Sequence, residues 1–135
     1  MGKKIEDIEG IGPVYGAKLR SAGITSIEKL LTKGASRKDR NALAKETGID
    51  GKKILTWVNL ADLCRIKGVA TQYSELLEAA GVDSVKELRN RNAANLCTKM
   101  KEVNDVKKLC RNPPSESQVT SWVEQAKELP PCISY

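Results

Sequence analysis

The chain has 135 residues, with 23 Lys or Arg against 17 Asp or Glu, no histidine, and a net charge of +6. That length holds one ordinary domain or two small halves sharing a core, and folding buries roughly two-thirds of the unfolded chain's surface without staples. A content of 40% hydrophobic and 30% charged residues excludes a disordered chain, and no run approaches the ~18 apolar residues of a membrane span.

The elements read as helices throughout. A short helix around Lys4–Glu9 enters the turn Gly10-Ile11-Gly12-Pro13. Pro13 suits a first helical position, and a helix over Val14–Ala22 stops at Gly23, a left-handed C-cap. Thr25-x-x-Glu28 reads as a capping box for a helix through Lys33, which Gly34 ends. Ser36 caps a helix to about Thr47, closed by Gly48, and Asp50 caps a longer one over about Gly51–Arg65. That helix is apolar on two sides, as a helix buried between neighbours is, and is expected to connect two halves. A second series follows: Gln72–Ala80 before Gly81, then a helix to about Asn90 capped by Asp83 or Ser84. Asn92 caps the next, to about Val103, and a short segment follows near Val106–Cys110. After Pro113-Pro114, Ser115-x-x-Gln118 caps a last helix, which ends at Leu129 before Pro130-Pro131. No stretch alternates like a strand.

The second series repeats the first. Ile8–Leu31 aligns without gaps on Ile66–Arg89, with identities at Ile8/Ile66, Gly10/Gly68, Tyr15/Tyr73, Leu19/Leu77, Ala22/Ala80, Gly23/Gly81, Ser26/Ser84 and Leu30/Leu88. Trp57-Val58-x-x-Ala61 returns as Trp122-Val123-x-x-Ala126, with a longer insertion in the second copy. One structural unit is used twice. In each, a glycine turn opens a helix, so unpaired backbone N–H groups stand at the positive end of a helix dipole, a geometry suited to phosphate.

An apolar residue, Gly10-Ile11-Gly12-Pro13, a helix, and then Ala22-Gly23-Ile24 together resemble the helix-hairpin-helix motif of DNA repair, recombination and replication proteins. The likeness covers about Ile8–Ile24 and, more loosely, Ile66–Val82. The whole chain, through Trp57–Leu63 to Trp122–Pro130, is similar to the uncharacterised family "domain of unknown function 4332". The resemblance implies an all-α fold of two tandem helix-hairpin-helix units, each extended by additional short helices and packed around a connecting helix. Residues 1–65 form the first unit with its connector, and 66–135 the second with its C-terminal helix. It also implies contact with duplex DNA through backbone phosphates, which positions a duplex without reading bases.

The sites follow copy by copy. Gly10, Ile11, Gly12 and Pro13 form the first phosphate site, with amides of Ile11, Gly12 and their neighbours as donors. Lys67, Gly68, Val69 and Ala70 form the second. DNA-binding hairpins often carry Lys or Arg two residues after the second glycine; here that place holds Val14 and Gln72, and Ala70 replaces the second glycine. Lys18, one turn beyond Val14, stands in as a cation, while its counterpart is Leu76. Arg37 and Lys38, with Arg40, Lys33 and Lys45 nearby, are either a solvated helix face or an auxiliary phosphate contact. Residues 1–63 carry 12 basic and 8 acidic side chains against 11 and 9 in 64–135, so the first copy is the favoured binder.

Tyr15, Tyr73, Trp57 and Trp122 read as core, with base stacking or a partner surface as the alternatives. The scattered Cys64, Cys97, Cys110 and Cys132 have no metal-ligand spacing. Free thiols in a reducing cytoplasm are expected. No cofactor, metal, small-molecule substrate or membrane is expected, nor catalysis, because no nucleophile–base set exists. The N-terminus turns acidic where a signal peptide needs an apolar run, and Met1 with the proline-rich end reads as a complete unit. Sequence-independent DNA binding is the expected function, with a protein-interaction scaffold that has lost the phosphate chemistry as its rival.

Overall fold

A computed structural model of the protein describes residues 4–8, 10–69 and 71–134. Among these the chain is helical: a 3-10 turn at Ile5–Asp7, then α1 (Pro13–Ser21), α2 (Ile27–Lys33), α3 (Arg37–Thr47), α4 (Gly51–Leu63), α5 (Thr71–Ala79), α6 (Val85–Leu88), α7 (Ala93–Lys107) and α8 (Glu116–Glu128). No strand forms among the described residues, where Lys4 and Ser26 make an isolated antiparallel bridge. No helix among them is long and apolar enough to cross a membrane.

The chain forms two compact units, Met1–Asp62 together with Cys132–Tyr135, and Leu63–Pro131. The repeat alone divides it at Arg65/Ile66 and leaves the last residues with the second half. Instead the Ser134 N–H donates to the Ala35 carbonyl at 2.7 Å, within the first unit.

Helix ends follow the cap residues. After α1 the Gly23 N–H donates to Arg20 O and the Ile24 N–H to Leu19 O. After α5 the Gly81 N–H donates to Glu78 O and the Val82 N–H to Leu77 O. This is the Schellman pattern, and it needs its glycine at positive φ, here +87° and +98°. The apolar residues that follow, Ile24 and Val82, are fully buried.

The expected box at Thr25 is shifted. Ser26 caps α2 by accepting from the Lys29 N–H, because Thr25 is drawn out beside the N-terminal segment, its carbonyl taking the Ile5 N–H at 3.4 Å. Ser84, its repeat partner, caps α6 in the same way. The box at Ser115 and Gln118 forms as written.

In the first unit Ile5, Ile8, Leu19, Ile24, Leu30, Ile54 and Val58 are all but inaccessible. On α4 Trp57, Leu60 and Ala61 are also buried. In the second unit α8 packs on α6 and α7, and α5 on α7. Leu76, Leu77, Leu88, Met100, Val119 and Trp122 make the centre of its core. There α7 runs on through the expected break at Val103 and takes in Val106 and Lys107, the start of the segment expected near Val106–Cys110. It stops at Lys108, which adopts a φ of +51°. The Asn104 side chain then holds both backbone groups of Cys110, at 2.9 Å each, and folds the chain back.

Candidate functional site

The two glycine turns close identically. The Ile11 N–H donates to Ile8 O and the Val69 N–H to Ile66 O, both at 3.1 Å. Gly10 and Gly68 stand third in these turns at φ of +91° and +93°, where an L side chain is strained. A Cβ on Gly10 would stand 3.3 Å from Trp57 Nε1, and one on Gly68 3.0 Å from Trp122 Nε1. Each tryptophan packs against its unit's tyrosine. The Tyr15 and Trp57 centroids are 5.2 Å apart at 61°, and those of Tyr73 and Trp122 are 5.2 Å apart at 53°. Gly10, Gly68 and the aromatic pairs therefore build the turn. So do Ile11 and Val69, whose side chains are buried and whose amides are spent inside it. The Ile11 N–H is not an outward donor.

Gly12 differs. Its φ of −83° suits any residue, and among the described residues no heavy atom beyond its two chain neighbours lies within 4 Å of where its Cβ would be. It is exposed and forms the N-cap of α1 with no side chain to cap the helix. Pro13 at the first helical position has no N–H. The Val14 and Tyr15 amides that follow belong to the first turn, which has no intrahelical acceptors to offer. Among the described residues Gly12, Pro13 and Val14 are exposed here, with the Val14 and Tyr15 amides at the helix start.

Two lysines stand on or beside α1. Lys18 is exposed on α1. Lys53, from the first turn of α4, sets its ammonium 5.9 Å from the Tyr15 ring centroid, a cation–π contact beside the α1 N-terminus. Sequence reasoning missed Lys53. The available signal was its place one helical turn before Trp57, the indole that Tyr15 packs on.

An acidic rim would repel phosphate, but the Glu6 charge is compensated. Its carboxylate takes two hydrogen bonds from Arg20, 2.7 Å from Nε and 2.6 Å from Nη2. That bidentate bond, with help from backbone, holds the Glu6 pKa down at about 2. Gly16 makes the crossing feasible, since a Cβ there would stand 2.7 Å from Glu6 Oε2. Asp7 accepts from the Lys4 N–H. Glu9 lies outside the described residues.

The second copy is closed over. Where Lys18 is exposed, Leu76 is fully buried. The link between α7 and α8, the longer insertion of this copy, lies on the start of α5. Cys110 Sγ donates to Gln72 O at 3.4 Å, and the Tyr73 hydroxyl donates to Asn112 O at 3.2 Å. Burial, with the nearby Glu75, pushes the Cys110 thiol up and keeps it a neutral donor. Lys67 has both backbone groups held by the Gln125 side-chain amide, at 2.9 and 3.2 Å. Its side chain is exposed. Gln118 stands four residues before Trp122, as Lys53 does before Trp57, and its amide is engaged in the α8 capping box. Ala70 lies outside the described residues.

The basic cluster divides. Arg37 and Lys38 are exposed in the first turn of α3, and no contact among the described residues ties them to the glycine turn. Arg40 is structural: it is 5% exposed and donates to three carbonyls, Gly34 O, Ala35 O and Ser134 O. Lys33 donates to Ala22 O behind α1.

The sequence model of the family described as Domain of unknown function (DUF4332) matches residues 9–129. The chain belongs to this family. The match spans both glycine turns and both tryptophans, so the family unit is the pair of repeats. No curated protein and no solved structure matches the chain.

Proposed function

We propose that the protein is a non-enzymatic helix-hairpin-helix module that binds duplex DNA weakly and without sequence preference, through its first copy alone. Gly12 carries the proposal. Neither its backbone conformation nor any neighbour among the described residues calls for glycine, whereas a phosphate approaching the uncapped start of α1 does, because any Cβ there would stand in its path. Lys18 and Lys53 supply attraction at that place, and Arg20 offsets the charge of Glu6. One such site contacts one or two phosphates, which gives weak, salt-sensitive binding and no base readout. The second copy serves as a support, and a cytoplasmic location goes with this reading.

A scaffold role is the second reading. Val14 favours it: a large apolar side chain 68% exposed at the position where DNA-binding hairpins often place a cation.

Gly12→Asp separates the two. Aspartate is a better N-cap than glycine, so the fold is kept or slightly stabilised. Its carboxylate fills the phosphate position with like charge. Fluorescence anisotropy with a labelled duplex is expected to show binding by the native chain and loss with Gly12→Asp. Equal binding by both chains contradicts the proposal.

A further inference from the structure

The segment after α8 is bound as if it were a ligand. Both backbone groups of Ser134 are taken: its N–H donates to Ala35 O in the α2–α3 turn at 2.7 Å, and its carbonyl accepts from the Arg40 side chain, Nη2, also at 2.7 Å. The other arm of the same guanidinium holds the turn itself, with Nη1 2.9 Å from Gly34 O and 3.2 Å from Ala35 O. A buried cation is tolerated only where its donors are met, and here one arm of the fork is met by a segment 94 residues away.

The receiving turn is closely packed. A Cβ on Gly34 would stand 2.5 Å from Val58 Cγ2, so the turn lies flat on α4. The occupant is held differently. Ser134 is held through its backbone N–H and carbonyl, with one long 3.5 Å bond from its Oγ to Ala35 O. Cys132 and Ser134 are exposed and Ile133 is half-buried. Backbone recognition of an extended segment by a fixed carbonyl and a fixed donor is how peptide-binding sites add a strand.

We propose that Ala35 and Arg40 form a docking site for an extended peptide, filled in cis by residues 132–134 and open in trans to the same segment of a second copy. A tethered occupant competes at an effective concentration of order millimolar. Trans binding therefore shows only when the cis segment is released.

Ser134→Pro in the full chain removes the N–H that pairs with Ala35 and leaves the receptor untouched. The probe is a labelled, acetylated peptide of residues 130–135 with serine in place of Cys132. The Ser134→Pro chain is expected to bind it at least about tenfold more tightly than the native chain does. Adding Arg40→Lys, which keeps the charge but loses the fork, is expected to abolish that gain. Near-ultraviolet circular dichroism of Trp57 and Trp122 reports that each variant is folded. In the native chain the Ser134 amide is expected to be protected from hydrogen exchange, a readout that needs no substitution. Equal peptide binding by native and Ser134→Pro chains, no binding by the folded Ser134→Pro chain, or an unprotected Ser134 amide overturns the proposal. None of these outcomes depends on DNA binding, so it stands or falls apart from the function proposed above.

Discussion

Gly10 is held at a φ of +91° with the Trp57 indole 3.3 Å from where its Cβ would stand. Gly10→Ala therefore imposes backbone strain, of order 1–3 kcal/mol. Gly12→Ala meets neither strain nor a neighbour and is expected to stay within ~0.5 kcal/mol of native. Urea denaturation of the two variants measures the difference, and comparable losses would mean that Gly12 is structural as well. The Glu6–Arg20 pair makes a second prediction. The folded-state pKa of Glu6, about 2, lies below its ordinary value of 4.5. The pair's contribution is thus complete above that ordinary value and disappears as pH falls toward the folded one. Glu6→Gln should lose less stability than the native chain between about pH 6 and about pH 3. Equal acid sensitivity would mean that the pair adds nothing.

The two copies of one helical unit have diverged on a single face. On α1 that face is open and carries Lys18; on α5 it is sealed by the α7–α8 link and carries the buried Leu76. Lys18→Leu is expected to change stability by no more than ~0.5 kcal/mol, whereas Leu76→Lys buries an unpaired cation and costs ~3 kcal/mol or more. Thermal melts of the two variants test this, and a tolerated Leu76→Lys would show that the second face opens. Much of this architecture was legible in the sequence. Gly23 and Gly81 mark true helix ends because no other residue takes their φ cheaply, and Ser36, Ser84, Asn92 and Ser115 cap helices as their side chains dictate. What the sequence hid depends on distant partners. Thr25 was outbid by Ser26 because the N-terminal segment claims its carbonyl. The helix expected to end near Val103 instead runs to Lys107, and the Asn104 amide holds the Cys110 backbone beyond it. Lys53 is separated from Tyr15 by the whole of α2 and α3, so only the fold puts a cation there, just as only the fold turns Arg40 inward.

At the scale of the molecule, a net charge of +6 is too small to bind nucleic acid by bulk attraction. Any affinity must come from a local site, and under the proposed function that site is the first glycine turn, with Lys18 and Lys53 on or beside α1. Local phosphate contact has a thermodynamic signature, since each neutralised phosphate lowers the slope of log K against log salt by about 0.9. The decisive measurement is a titration of labelled duplex DNA at several salt concentrations between about 50 and 200 mM, with the native chain and with Gly12→Asp. One or two contacts predict a slope of about −1 to −2 for the native chain, insensitive to DNA sequence, and no measurable binding for a folded Gly12→Asp. No binding by the native chain at about 50 mM salt, or a slope and affinity unchanged by Gly12→Asp, would contradict phosphate recognition at this turn.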